Sequence, residues 1–171
     1  MNFSNRLIDW YNLNKRDLPW RRTKDPYKIW VSEIILQQTR IEQGEKYYHK
    51  FLNKYPNITS LSNTNNNELL KIWEGLGYYS RALNMLKTSE IVVDKYQGIF
   101  PSTYNELIGL PGIGDYTASA ISSICKSEVQ PVVDGNVLRF LSRLYKVDLA
   151  IDSVKTKKYF KNLGFQLIKD V

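Results

Sequence analysis

Along almost the whole chain, apolar residues return every three or four positions, the spacing of helices that bury one face. Phe3, Leu7, Ile8 and Tyr11 form the first such stripe and predict a helix over 3–13. LPWRRTKDPYKIW, 18–30, reads as a loop because it holds two prolines and clustered charge. The pattern then predicts a helix from Tyr27 to Arg40 and another from Ile41 to Tyr55, stopped by Pro56. SNTNNN, 62–67, is a polar connection. NELLKIWEGL predicts a helix ending near Gly75 or Gly77, and Tyr79–Tyr96 a longer one with Ala82, Leu86 and Val93 on one face. Gly98 and Pro101 interrupt the pattern, and Thr103 with Glu106 three residues later predicts a capping box for a short helix over 104–109. Helices over 115–125, 136–146 and 154–169 complete the reading. No useful stretch alternates with period two, and no internal repeat is visible. The expectation is an all-α chain with eight or more short helices. GFQLIKDV ends while still apolar and helical, the pattern of a chain cut short.

Composition adds a partner class. The 171 residues carry 24 basic and 17 acidic side chains, a net charge of +7, which favours a polyanion and nucleic acid first. Twelve Tyr and four Trp suit base stacking, and suit a core equally well. The single cysteine, Cys125, excludes an internal disulfide or an all-cysteine metal site within this chain and reads as a small core residue. No apolar run approaches the length of a membrane span, and MNFSNRLIDWYN lacks a signal-peptide pattern. A cytoplasmic protein follows, nucleoid-associated if it binds DNA.

LPGIGDYTASAI, 110–121, places Gly112 and Gly114 on either side of Ile113, between two legible helices. Both glycines are expected to reach positive φ and to expose their N–H groups. With the N-terminus of the following helix they would form a phosphate cradle, the helix–hairpin–helix arrangement of proteins that grip DNA without reading its sequence. The same residues also suit a tight corner between two helices with no ligand.

Three further residues invite chemistry. Asp134, in PVVDGNVLRFLSRL, lies where a helix cap belongs, and simple capping accounts for it as well as function does. Gly135 allows a tight turn there, so that Asn136 could orient the Asp134 carboxylate. Glu33, in WVSEIILQQT, shares a helical face with Ile29, Trp30, Leu36 and Gln37. Burial on such a face would raise its pKa and suit a general acid, although a salt-bridged structural role stays open. One carboxyl kept ionised and one kept protonated is the pairing of acid and electrostatic stabiliser.

LPWR, SEIILQQTR, WEGLGYYSRA, LPGIGDYTASAI and VDGNVLRFLSRL, in this order, strongly resemble the adenine DNA glycosylases of the MutY family, in the helix–hairpin–helix glycosylase superfamily. The match runs from Asn5 to Tyr145. The resemblance implies monofunctional removal of adenine mispaired with 8-oxoguanine or guanine in duplex DNA, by a monomer. It implies a six-helix barrel over 15–130 with the hairpin at 104–125, and 1–14 with 131–171 as part of a second helical subdomain. Family members continue into a four-cysteine iron–sulfur motif; a [4Fe-4S] cluster is therefore expected in the full-length protein and no metal in this chain.

The resemblance also implies roles at matched positions. Glu33 would protonate the adenine, Asp134 would stabilise the sugar cation, and Asn136 would position the carboxyls. Tyr116 would lie beside the reacting nucleotide, where bifunctional endonuclease III-like relatives keep a nucleophilic lysine. Gln38 and Tyr78 would wedge into the DNA, Thr39 and Leu76 would contact 8-oxoguanine, and Trp20 and Arg21 would rim the adenine pocket. A mismatch thymine glycosylase, a non-catalytic hairpin module and a helical protein-binding module are the rival readings.

Overall fold

Asp25 shows how local chemistry starts these helices. Its carboxylate accepts from the amides of Tyr27 (2.9 Å) and Lys28 (3.4 Å), with Pro26 at the first helical position, so the second helix, α2, runs Pro26–Leu36. The computed structural model describes residues 3–150 and 153–169, and every regular element in them is helical. The last two residues of GFQLIKDV lie outside the described residues. α1 is Phe3–Asn14, and a 3₁₀ turn occupies Pro19–Arg21, within the segment expected to be loop. After α2 come α3 (Ile41–Lys54), α4 (Ile58–Ser62), α5 (Asn66–Trp73), α6 (Ser80–Tyr96), α7 (Tyr104–Leu107), α8 (Asp115–Lys126), α9 (Gly135–Tyr145) and α10 (Val154–Ile168).

The all-helical expectation holds, and several boundaries move. The helix expected to reach Arg40 stops at Leu36: Gln37 turns to an extended ψ of 115°, and Gln38 then adopts a left-handed φ of 58°. The helix in NELLKIWEGL stops at Trp73, short of both glycines. α4 was not anticipated; Asn57 and Ser60 close a reciprocal capping box around a single turn. Thr103 does not form the expected box, since its hydroxyl donates to the Glu106 carboxylate and caps no backbone amide. In α6 the buried residues are Ala82, Met85, Leu86, Thr88, Ser89 and Val92; Val93 sits only half-buried on the flank.

The chain divides into two compact units, Asp17–Lys126 and Met1–Arg16 with Ser127–Val171. In the first, α2 is buried over most of its circumference and packs against α3 and α8. Gly44 of α3 permits the approach, because a Cβ there would lie 2.6 Å from Leu36. Around α2 gather Tyr27, Trp30, Phe51, Tyr55, Trp73 and Phe100 in one core. Each fully buried large apolar side chain contributes roughly 1.5–3 kcal/mol. In the second unit α1 packs on α10, Phe3 stacks on Phe140 at 6.1 Å, and the core is Leu138, Leu141 and Phe160. The Ser4 hydroxyl ties the start of α1 to the Leu167 carbonyl in α10.

Candidate functional site

Glu33 sits in the middle of α2 with Ile29 and Trp30 one turn behind it, both almost fully buried. The residue keeps some exposed area, yet desolvation of its largely covered carboxyl pushes the pKa up to about 7. No charge or hydrogen bond counters that shift. The salt-bridged alternative therefore finds no partner in this unit. At neutral pH such a carboxyl is divided between its protonated and ionised forms, the condition for proton donation.

Asp134, in the other unit, is the cap of α9. One carboxylate oxygen accepts from the amides of Asn136 (3.0 Å) and Val137 (2.8 Å). The other accepts from the Asn136 side-chain amide at 3.2 Å, so Asn136 does orient this carboxylate. Arg139 in turn donates to the Asn136 side-chain carbonyl at 3.4 Å. Capping and chemistry are compatible here, because an ionised carboxylate serves both.

Gln38 and Tyr78 occupy the two turns that follow α2 and α5, and both are exposed with left-handed backbone, φ 58° and 45°. Few non-glycine residues adopt that conformation, and surrounding contacts must hold it. One residue that the sequence reading passed over does much of this. Arg81, in the first turn of α6, donates through Nη1 to the carbonyls of Ile34 (2.7 Å), Ile35 (3.3 Å) and Gln37 (2.7 Å). Through Nη2 it donates to Leu76 (3.1 Å) and Gly77 (3.2 Å). Its guanidinium also lies 5.2 Å from the Trp73 ring and 5.6 Å from the Tyr78 ring. The signal was present in WEGLGYYSRA, but a basic residue at a helix start normally reads as solvent-facing.

The remaining positions are mixed. Leu76 is a core residue, only 8% exposed, and its amide and carbonyl are bonded within the protein, to Trp73 and Arg81. Thr39 is half-buried, and its amide donates to Leu36 at 3.2 Å. Trp20 is buried edge-on against Tyr48 at 5.4 Å, while Arg21 beside it is exposed. Tyr116 is exposed on the first turn of α8. A cavity of about 100 Å³ between α2, α6 and the hairpin is walled by Trp30, Ile34, Arg81 and Gly112 among others, and Glu33 takes no part in it.

The two hairpin glycines differ. Gly112 takes φ 73°, and a Cβ there would lie 2.8 Å from the Asn84 Cβ, so both strain and packing require glycine. Gly114 does not share the expected positive φ, and a Cβ on it would meet nothing within 4 Å. Ile113 between them is buried and anchors the turn, and Thr88 of α6 donates to the Pro111 carbonyl at 2.9 Å. The Gly114 carbonyl accepts the first bond of α8, from Ala118 at 2.9 Å, which makes Gly114 the cap position of that helix.

An iron–sulfur cluster of the kind the resemblance implies needs four thiolates, and this chain has one cysteine. Cys125 is half-buried against the main core, and burial pushes its thiol up to about 11, against thiolate formation. The described residues also bring together no group of three or more His, Cys, Asp or Glu. The residues present do not fit such a cluster. No described helix is long and apolar enough to cross a membrane.

Similarity to known proteins agrees with this geometry. The model of the HhH-GPD superfamily of base excision DNA repair proteins matches residues 31–164. An adenine DNA glycosylase of Buchnera aphidicola subsp. Acyrthosiphon pisum is 42% identical over 162 residues, covering 94% of this chain and 46% of its own length. The adenine DNA glycosylase of Homo sapiens is 37% identical over 175 residues, with 97% of this chain and 32% of that one covered. This chain thus spans about half the length of its bacterial relatives, or less. Among solved structures, a thermostable thymine-DNA glycosylase superposes with a TM-score of 0.85 at 29% identity, over 96% of this chain and 76% of the other. An endonuclease III trapped covalently on DNA superposes at 0.80 with 22% identity, over 96% and 74%, and shows the fold alone. The chain belongs to the HhH-GPD superfamily of base excision DNA repair proteins, and its resemblance to the adenine DNA glycosylases of that superfamily runs along nearly its whole length.

Proposed function

We propose that this chain carries the catalytic part of an adenine DNA glycosylase, acting on adenine mispaired with 8-oxoguanine or guanine in duplex DNA. The observation that carries the reading is Glu33, a carboxyl in apolar surroundings whose pKa rises to about 7. Glu33 donates its proton to the adenine ring, which turns the base into a neutral leaving group. The bond between the sugar C1′ and the base nitrogen breaks, and its electron pair goes to the base. The Asp134 carboxylate, held by two backbone amides and turned by Asn136, stabilises the cationic sugar. Water adds at C1′ and releases a proton, leaving an abasic site in an intact strand.

Tyr116 supports the monofunctional reading. The stretch 110–121 holds no lysine, and a phenol does not form the Schiff base that strand cleavage in bifunctional relatives requires. The target base must leave the stack, at roughly a few kcal/mol, and the exposed side chains of Gln38 and Tyr78 are the candidates to fill the gap. The hairpin and the net charge of +7 supply sequence-independent grip on phosphates. The same reading places the protein on chromosomal DNA in the cytoplasm as a monomer, and assigns any [4Fe-4S] cluster to residues outside this chain.

The likeness to a thymine-DNA glycosylase favours a second reading, removal of thymine from T·G pairs. A single-turnover assay separates the two. Release of adenine from A·8-oxoguanine and not of thymine from T·G is the expected result, and the reverse selectivity overturns the assignment. Glu33→Gln should slow adenine release by roughly 10²–10⁴-fold, the range for loss of a general acid, with duplex binding retained.

A further inference from the structure

Arg81 connects two turns that come from distant parts of the sequence. It reaches the end of α2 through three carbonyls, of Ile34, Ile35 and Gln37, and the turn after α5 through two, of Leu76 and Gly77. The last turn of α2 contains no basic residue of its own, so the cation that meets its carbonyl end arrives from α6. Immediately beyond each group of bonded carbonyls stands a non-glycine residue with left-handed backbone, Gln38 on one side and Tyr78 on the other. The Tyr78 ring also packs over the same guanidinium at 5.6 Å. A planar fork with donors on both ends spans two sites at a fixed separation, which an ammonium on a flexible stem does not. Burial pulls the pKa of Arg81 below its ordinary value, and the five carbonyls are its compensation.

We propose that Arg81 is a positioning residue that clamps the Gln37–Thr39 and Leu76–Tyr78 turns into one rigid unit and sets the distance between Gln38 and Tyr78. It touches no substrate. Its effect on the DNA is indirect: two side chains entering one gap in a stack must keep their spacing, and the clamp fixes it before DNA arrives. This rests on the reading of Gln38 and Tyr78 as the residues that fill the space of an extruded base.

The test follows two signals in the intact chain. The first, without DNA, is hydrogen exchange at the amides of Thr39 and Leu76, whose bonds to Leu36 (3.2 Å) and Trp73 (3.0 Å) close the two turns. The second is the fluorescence of 2-aminopurine opposite 8-oxoguanine in a duplex, which rises as the base unstacks. Arg81→Lys keeps the charge and loses the fork. It should speed exchange at both amides together by about tenfold or more, the factor expected for losing one charge-assisted bond. It should also lower the fluorescence rise to the level of the double variant Gln38→Ala/Tyr78→Ala and add nothing further to that variant. Affinity for undamaged duplex should stay within about twofold, because phosphate contacts are made elsewhere. Exchange that changes at one turn only or at neither, or a fluorescence loss that adds in full to that of the double variant, overturns the clamp. If the double variant itself unstacks the base normally, the wedge reading fails, and the exchange result still decides whether Arg81 joins the turns. Arg81→Gln, measured alongside, covers a folding failure of the lysine variant. A chain that folds with neither residue overturns the proposal in favour of a general core role.

Discussion

Aromatic side chains are buried to different extents in the two units. In Asp17–Lys126 a buried set packs ring on ring: Trp30 lies 4.8 Å from Phe100, Phe51 5.2 Å from Tyr55, and Trp73 is fully buried, while Tyr78, Tyr79 and Tyr116 stay exposed. In Met1–Arg16 with Ser127–Val171 rings also pair, Phe3 with Phe140 and Tyr159 with Phe160, but among the described residues only Phe160 is fully buried; Trp10 is 60% exposed and Phe140, Tyr145, Tyr159 and Phe165 are exposed as well. The first unit therefore has a core of its own, with α2 at its centre and Glu33 on that helix. The second holds Asp134 on a helix whose buried residues are Leu138 and Leu141 alone. The contrast separates two ways to hold a carboxyl. Glu33 is controlled by exclusion of water, which needs a well-packed surround. Asp134 is controlled by three local donors, which need only one helical turn.

The sharpest way to break this comparison is to make the same truncation in each unit. Phe51→Ala should cost about 3–5 kcal/mol and unfold Asp17–Lys126 at the denaturant midpoint set by that loss. Phe160→Ala should release the amides of α9 and α10 to hydrogen exchange while those of α2 stay protected. Simultaneous release of α2 in that variant would show one cooperative core instead of two. Next in size is Asp134→Asn. Asparagine caps helices about as well as aspartate, so α9 should persist by circular dichroism. Adenine release should nonetheless fall by roughly 10²–10³-fold, as expected for a lost electrostatic contact to a transition state. Activity that survives in a folded variant would reduce Asp134 to a cap.

A smaller effect tests exclusion of water at Glu33. Its folded pKa, about 7, lies above the ordinary value of 4.5, so the folded state holds the proton more tightly than the unfolded one. Stability tied to the protonated form is complete below pH 4.5, declines as pH rises, and is lost above pH 7. Glu33→Gln, neutral at every pH, should match the wild type at pH 4 and exceed it by about 3 kcal/mol at pH 8 in thermal or denaturant unfolding. A constant difference across that range would mean that the carboxyl is solvated. The smallest effect concerns the hairpin. Gly114→Val should fold normally and weaken binding to all duplexes alike by about tenfold or less, read by titration at fixed salt. Selective loss for one duplex sequence would contradict a phosphate grip.

Helices with a clear apolar stripe were legible from spacing alone, and so were the breaks at Pro56 and Gly98. Legibility failed wherever non-local contacts decide. QQTR contains neither glycine nor proline, so nothing in it announces that α2 ends at Leu36; the end depends on a guanidinium 44 positions away from Gln37. α4 was hidden because ITSLS has too few apolar residues to show a period, and its capping box is a pair of short polar side chains. For the candidate site, Glu33 was legible because its apolar neighbours are one turn away in sequence. The burial of Trp20 and Leu76 was not, because residues outside their own turns cover them. Asp134 and Asn136 were legible as a pair because their hydrogen bonds span only two residues.

Gly114 has a practical consequence for anyone who would stabilise this protein. It occupies a helix-cap position with open space around it, where serine or asparagine would gain a few tenths of a kcal/mol. Any procedure that scores folding alone will recommend that replacement, and a library selected for solubility or heat resistance will accumulate it. Gly112 will resist the same pressure, because its neighbour Asn84 rejects a side chain before any DNA is present. Two glycines two residues apart would then drift in opposite directions under such selection, Gly112 kept by the fold and Gly114 kept only if the proposed phosphate grip is also selected.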